Sequence, residues 1–113
     1  MARVYDASGN GPSAIQGQGI SQGMQHASVT IGSTTTVVSA AKPSRNYLLM
    51  VNDSTEDMFV NINGAAAVDA EGIRINANGG SFEMSQKNGN LTAMGVQAIT
   101  ASGSMVMLVT ESA

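Results

Sequence analysis

Residues 42–64, KPSRNYLLMVNDSTEDMFVNING, decide how this chain is read. YLLMV (47–51) and MFVNI (58–62) are rich in the β-branched, aromatic and aliphatic residues that suit a pleated strand. NDSTED (52–57) between them is turn chemistry, because short polar side chains hydrogen-bond the local backbone. The pattern predicts a β-hairpin that closes at Asn63-Gly64. Its first strand is apolar on both faces, with Tyr47, Leu49 and Val51 on one and Leu48 and Met50 on the other. An isolated antiparallel sheet normally leaves one face wet. Both faces of this strand must be covered, which points to a protein built to assemble.

Composition supports assembly over catalysis. A chain of 113 residues holds one small domain, and a small domain buries only about 60–65% of its unfolded surface. Aromatics make up 4% and charged residues 12%, against 13 glycines, so large core anchors are scarce and turns frequent. Eight methionines stand in for some of the missing Leu and Phe, as gap-filling and contact residues. The formal charge of −3, with Arg3, Lys42, Arg45, Arg74 and Lys87 scattered, argues against a nucleic-acid partner, which would demand clustered cations. The absence of cysteine removes disulfides, thiol catalysis and thiolate metal sites, and it is compatible with a cytoplasmic folding compartment. No apolar run approaches the ~20 residues of a membrane helix, and the first residues lack a signal-peptide core. A soluble protein without an export signal is expected.

Two regions differ in character. Residues 1–26, MARVYDASGNGPSAIQGQGISQGMQH, are rich in Gly, Gln and Ser, with isolated Val4, Ile15, Ile20 and Met24, and predict a flexible N-terminal arm. Residues 27–113 predict a domain of short strands separated by turns. Segments 28–31 and 34–40 flank Gly32-Ser33, a two-residue hairpin turn. Residues 65–70 predict an irregular loop, and 73–75 a strand. Asn78-Gly79-Gly80 then turns into a strand at 81–84, and QKNGN (86–90) is a further turn. Strands at 91–95, 96–101 and 105–111 complete the series, the last two separated by Ser102-Gly103-Ser104. Seven or eight short strands predict an all-β fold, a small antiparallel β-sandwich or jelly-roll-like barrel with an extended N-terminal arm.

The final strand repeats the double apolarity. Met105, Met107 and Val109 share one face and Val106 and Leu108 the other. Met58, Val60 and Ile62, by contrast, back onto Phe59, Asn61 and Asn63, so that strand has one wet side. The doubly apolar strands either lie mid-sandwich beneath a loop or the arm, or pack against another subunit. Exposed apolar patches usually mark interfaces, which favours the second reading. The oligomer-interface candidates are therefore Tyr47, Leu49, Val51, Met105, Val106, Met107 and Leu108.

The series Ala41-Lys42-Pro43-Ser44-Arg45-Asn46-Tyr47-Leu48-Leu49, Asn52, Asp57-Met58-Phe59-Val60-Asn61, Gly72-Ile73-Arg74-Ile75 and Gly79-Gly80-Ser81-Phe82-Glu83, closed by Val109-Thr110-Glu111, resembles small all-β virion proteins of tailed bacteriophages. The likeness spans residues 37–111 and leaves out the first 26. It implies a structural protein of the capsid decoration (cement) or head-fibre type, made in the host bacterial cytoplasm and carried on the capsid surface of the virion. It further implies a homotrimer whose partner is the major capsid protein, with the terminal arm laid along the shell. Ile15, Ile20 and Met24 are then the capsid-contact candidates. The alternative is a head-fibre base or a tail-associated receptor- or carbohydrate-binding module, against which the scarcity of Trp and Tyr counts.

Catalytic chemistry finds little to use. A general base needs an orienting partner and a nearby nucleophile, and His26 is the only histidine, placed where arm meets domain and expected to be solvated. Asp53, Glu56 and Asp57 crowd one turn and Asp69 and Glu71 another, but neither spacing follows a calcium-loop pattern. Asn78-Gly79-Gly80 lacks the strand–loop–helix context of a phosphate loop. Arg45 and Arg74, each beside a strand, are expected to form ion pairs across an interface. No catalytic residue, metal ligand or cofactor site is assigned.

Overall fold

The computed structural model describes residues 23–113. They form eight strands and no helix: β1 (Gln25–Ile31), β2 (Thr36–Ser39), β3 (Tyr47–Asn52), β4 (Met58–Asn61), β5 (Ile73–Ile75), β6 (Ser81–Ser85), β7 (Val96–Thr100) and β8 (Met105–Ser112). The strands make two four-stranded antiparallel sheets, one ordered β1-β8-β3-β6 and the other β2-β7-β4-β5. The all-β expectation is met. Pairing begins at Gln25, so His26, assigned to the arm from sequence, lies in the first strand, opposite Thr110. Ile15 and Ile20 lie outside the described residues.

The expected hairpins do not form. Strands β3 and β4 exist where the sequence places them, but β3 pairs with β6 and β8 while β4 pairs with β5 and β7. The NDSTED turn therefore carries the chain from one sheet to the other. Gly32-Ser33, Asn78-Gly79-Gly80 and Ser102-Gly103-Ser104 make the same kind of crossing, and among the described strands only β4 and β5 are both consecutive and paired. Turn chemistry reports that a chain reverses. It does not report whether the returning strand stays in its sheet, and a connection of a few residues spans the ~10 Å between packed sheets. The strand expected at 91–95 is likewise absent, and that segment is a loop.

Alternation along the strands builds the core. Leu48, Met50 and Asn52 of β3 are buried, as are Met84 of β6 and Met107 and Val109 of β8; from the second sheet come Met58, Val60, Ile75, Val96 and Ala98. The apolar members of both groups and Ile31 form a single cluster, with Phe82, Leu91 and Met105 packed against it. Four methionines in it have no exposed surface, so flexible thioethers do the filling that aromatic rings do elsewhere.

Buried polar side chains hold the crossings. Asn52 donates to the backbone oxygens of Glu56 (2.7 Å) and Ile75 (2.9 Å), and its Oδ1 accepts from Ser54 Oγ at 2.6 Å. Its backbone N–H donates to Gly80 O, and its carbonyl accepts from Gly79 N–H. One residue thus joins the β3–β4 and β5–β6 crossings. Gly80 is required there, because a Cβ would clash with the Asn76 backbone oxygen. At the opposite end of β3, Arg45 is buried with every guanidinium hydrogen used. Nε donates to Glu111 Oε2 (2.9 Å), Nη1 to the carbonyls of Thr92 (2.7 Å) and Met94 (3.0 Å), and Nη2 to Ser39 Oγ and Ala40 O (both 2.8 Å). Lys42 Nζ reaches the other Glu111 oxygen at 2.8 Å. The expectation that Arg45 forms a pair across an interface is therefore corrected: its pair is intramolecular, with the guanidinium buried and Glu111 half-buried. Arg74 is exposed on β5.

Burial pushes the Glu111 carboxyl up, but hydrogen bonds from Lys42, Ser39 and Arg45 and the Lys42 charge outweigh it, and the carboxyl titrates below its ordinary value. The unfolded chain then binds this proton more readily than the folded one. Stability is full above the ordinary carboxylate range of about 4 and falls as pH drops through the folded value. Glu111→Gln should be less stable than the parent at neutral pH, and the two should converge in acid; urea melts between neutral pH and about pH 3 give the comparison. Arg45→Met should cost about 3–5 kcal/mol, since it leaves three loop carbonyls without donors and removes one of the two cations on Glu111. Asn52→Leu should lower the melting temperature by roughly 10 °C through two orphaned carbonyls.

Candidate functional site

Strand register brings most of the predicted interface residues onto one surface. On the outer face of the first sheet, Ser28, Leu108, Val51 and Ser81 lie in one cross-strand row. His26, Thr110, Leu49 and Glu83 lie in the next. Thr30 and Val106 extend the face at one end, and Tyr47 with Ser85 at the other. Leu108 is 42% and Val106 37% exposed, while Leu49, Val51 and Tyr47 are half-buried. The result is an aliphatic stripe of Val106, Leu108, Val51 and Leu49, rimmed by hydroxyl groups, one imidazole and one carboxylate.

Two members of the predicted set do not belong to it. Met107 is wholly buried in the core, and Met105 faces the same way and packs against the core cluster. The reason is the strand period of two: in MVMLVT only every second side chain can reach the outer face, and register with Asn52 and Val29 sets Met107 inward. Tyr47, Leu49, Val51, Val106 and Leu108 share the outer face.

The rim is ordered by local hydrogen bonds. Tyr47 Oη donates to Glu83 Oε2 at 2.6 Å, and this bond, followed by burial and the Glu83 charge, raises the phenol above its ordinary pKa. Asn90 Nδ2 donates to Glu83 O, and Ser85 N–H donates to Asn90 Oδ1, which fixes the β6–β7 turn beside that pair. His26 Nδ1 lies 2.9 Å from Thr110 Oγ1, so the histidine is a surface strand residue and not a linker residue. Met24, 44% exposed, borders an open groove of about 410 Å3 with Asn46, Tyr47, Glu83 and Lys87. The capsid-contact candidate Met24 therefore adjoins the Tyr47 end of the stripe.

The acidic turn at residues 53–57 has structural partners. Asp57 Oδ1 accepts from Ala77 N–H at 2.8 Å and so braces two sheet crossings, and Glu56 O accepts from Asn52 and Ser54. Among the described residues no three His, Cys, Asp or Glu side chains are grouped as a metal site. Nor is any helix there long and apolar enough to cross a membrane.

Residues that sequence reasoning missed are Arg45, Glu111 and Asn52. A signal existed. Asn52 follows Leu48 and Met50, and Glu111 follows Met107 and Val109, at the same two-residue spacing, so both polar groups sit in an inward register that demands partners.

The register makes a contrast that substitution can measure. Met107→Asp should prevent folding, because it places an unpaired charge in the core. Leu108→Asp, one residue along, should leave the circular dichroism spectrum unchanged and the stability within about 1 kcal/mol of the parent while removing any association through the stripe. Equal damage from both substitutions would show that the outer face is part of the fold.

The chain matches no family model, no curated protein and no solved structure, so its function has to be argued from its own residues.

Proposed function

We propose that this protein is a virion structural protein of a tailed bacteriophage: an oligomeric capsid decoration protein that seats on the outer shell and reinforces it. The observation that carries the reading is the pairing of a core-filled two-sheet body with an aliphatic stripe on one outer face. A body whose chemistry is spent on packing, and which carries four neighbouring aliphatic side chains on one outer sheet face, suits a contact protein. We infer further that the two sheets form a jelly-roll sandwich. Strand orders β1-β8-β3-β6 and β2-β7-β4-β5, with nearly every connection crossing between sheets, support it. Eight-stranded jelly rolls are a recurrent architecture of viral shells, and also of lectins and other binding domains. The resemblance of residues 37–111 to phage accessory proteins selects the first of these and implies a trimer in contact with the major capsid protein.

Reinforcement requires no catalysis. A shell under internal pressure fails where neighbouring subunits part, and a protein bound across several of them must be released first. Each contact can be weak, because attachment at one point makes the next effectively intramolecular.

Purified particles provide the test. Quantitative mass spectrometry should find this protein in hundreds of copies per virion, and particles lacking it should lose heat resistance. A handful of copies would move the protein to a vertex, as a head-fibre base or tail-associated module. Absence from the particle would refute a virion role.

A further inference from the structure

Among the described residues the two sheets present four edge strands, and they are not equally protected. In the second sheet β2 has four residues and a register break between Val37 and Ser39, and β5 has three residues with Arg74 at its centre. In the first sheet β6 has Glu83 at its centre, tied to Tyr47. Short length, irregular register and a central charge are the usual means of keeping an edge from pairing with another chain. Strand β1, QHASVTI, has none of them. It is seven residues long, pairs with β8 in unbroken register, and carries neither proline nor any Lys, Arg, Asp or Glu. Gln25, His26, Ala27 and Ser28 are exposed, so its first half projects beyond the core on both faces. Among the described residues no strand covers its outer edge.

We propose that β1 is a strand-addition surface whose occupant is β1 of a second copy, joined antiparallel about a two-fold axis at Ser28. The sequence of the strand favours a copy of itself. With Ser28 opposite the partner's Ser28, His26 faces the partner's Thr30 and Ala27 faces the partner's Val29. His26 then meets a threonine hydroxyl, the same group it already meets on β8 at Thr110. Exposed Ala27 gains an apolar neighbour, polar side chains oppose polar ones on the outer face, and no like charges meet. Pairing would merge two four-stranded sheets into one of eight strands. The stripes on the two β8 strands would then lie about 14 Å apart on a common surface, three inter-strand spacings. This contact is two-fold, so it is distinct from any three-fold contact between copies, and it is argued from the edge alone, apart from the capsid reading.

The chain contains no cysteine, which makes crosslinking unambiguous. Directly opposed residues in an antiparallel pair have Cα atoms about 4.5–5.5 Å apart, within reach of a disulfide. The full-length Ser28→Cys variant should therefore form a covalent dimer under mild oxidation. His26→Cys should not, because its two copies would sit about 13 Å apart along the strand; adding Thr30→Cys to it should restore the crosslink. Ser28→Lys should abolish the dimer in sedimentation while leaving circular dichroism unchanged. Crosslinking of Ser28→Cys no faster than His26→Cys, a dimer that survives Ser28→Lys, or a parent chain that stays monomeric at its highest soluble concentration would each overturn the proposal. The last result would leave the edge to the chain's own N-terminal segment or to a different protein.

Discussion

The buried guanidinium of Arg45 is the constraint around which the chain is organised. Because consecutive strands mostly belong to different sheets, the loops that cross between them carry backbone carbonyls with no ladder to join. Unpaired buried carbonyls are costly, and two such loops converge at Arg45. Arg45 supplies five donors in a rigid fork, satisfies the carbonyls of Ala40, Thr92 and Met94, and places its charge against Glu111. Burying an ion costs several kcal/mol even after relaxation. That cost is offset only because no donor is left over and the counter-charge comes from β8, the strand that links β1 to β3. An apolar replacement would remove the cost and leave the carbonyls unmet. At the other end of β3, Asn52 does the same work with a neutral amide, where the groups to be satisfied are two carbonyls and one hydroxyl.

With both ends held, the two faces of the first sheet are free to differ. The inward row is set by packing, and Leu48, Met50, Met84, Met107 and Val109 leave it little choice. The outward row does not fill the core, yet it carries Leu49, Val51, Val106 and Leu108. Single exposed aliphatic residues are ordinary on protein surfaces. Four that are neighbours by register on two adjacent strands form a patch.

The sequence revealed which residues form strands more faithfully than how those strands pair. Strand existence depends on local alternation and β-branched content, and YLLMV, MFVN and MVMLVT show both plainly. Pairing depends on competition among distant segments: β1 meets β8 across nearly the full length of the described chain, and no local signal specifies that. The hairpin inferred from NDSTED failed for this reason, since the same turn residues serve a reversal within a sheet and a step between sheets. The outer face was legible to the extent that parity was applied. Tyr47, Leu49 and Val51 were separated correctly from Leu48 and Met50. On β8 both faces were pooled, which brought Met105 and Met107 in with Val106 and Leu108. The charged cluster stayed hidden because Arg45 was weighed as a surface cation, although its counter-ion, Glu111, occupies an inward register of an apolar strand.

The stripe and the edge bear on each other energetically. Burying a whole aliphatic side chain contributes roughly 1.5–3 kcal/mol, and the four stripe residues are already partly covered in the single chain. What remains for a docking partner is a few kcal/mol. Association itself costs an estimated 4–15 kcal/mol in lost freedom and ordering. A single copy would therefore hold a partner surface weakly through this face alone. Two copies joined through β1 would present two stripes on one continuous sheet, and the second would engage at the high effective concentration set by a rigid link. In the proposed role, then, strand addition and surface docking are one requirement: a modest patch becomes an adequate grip only when the copies that carry it are held together.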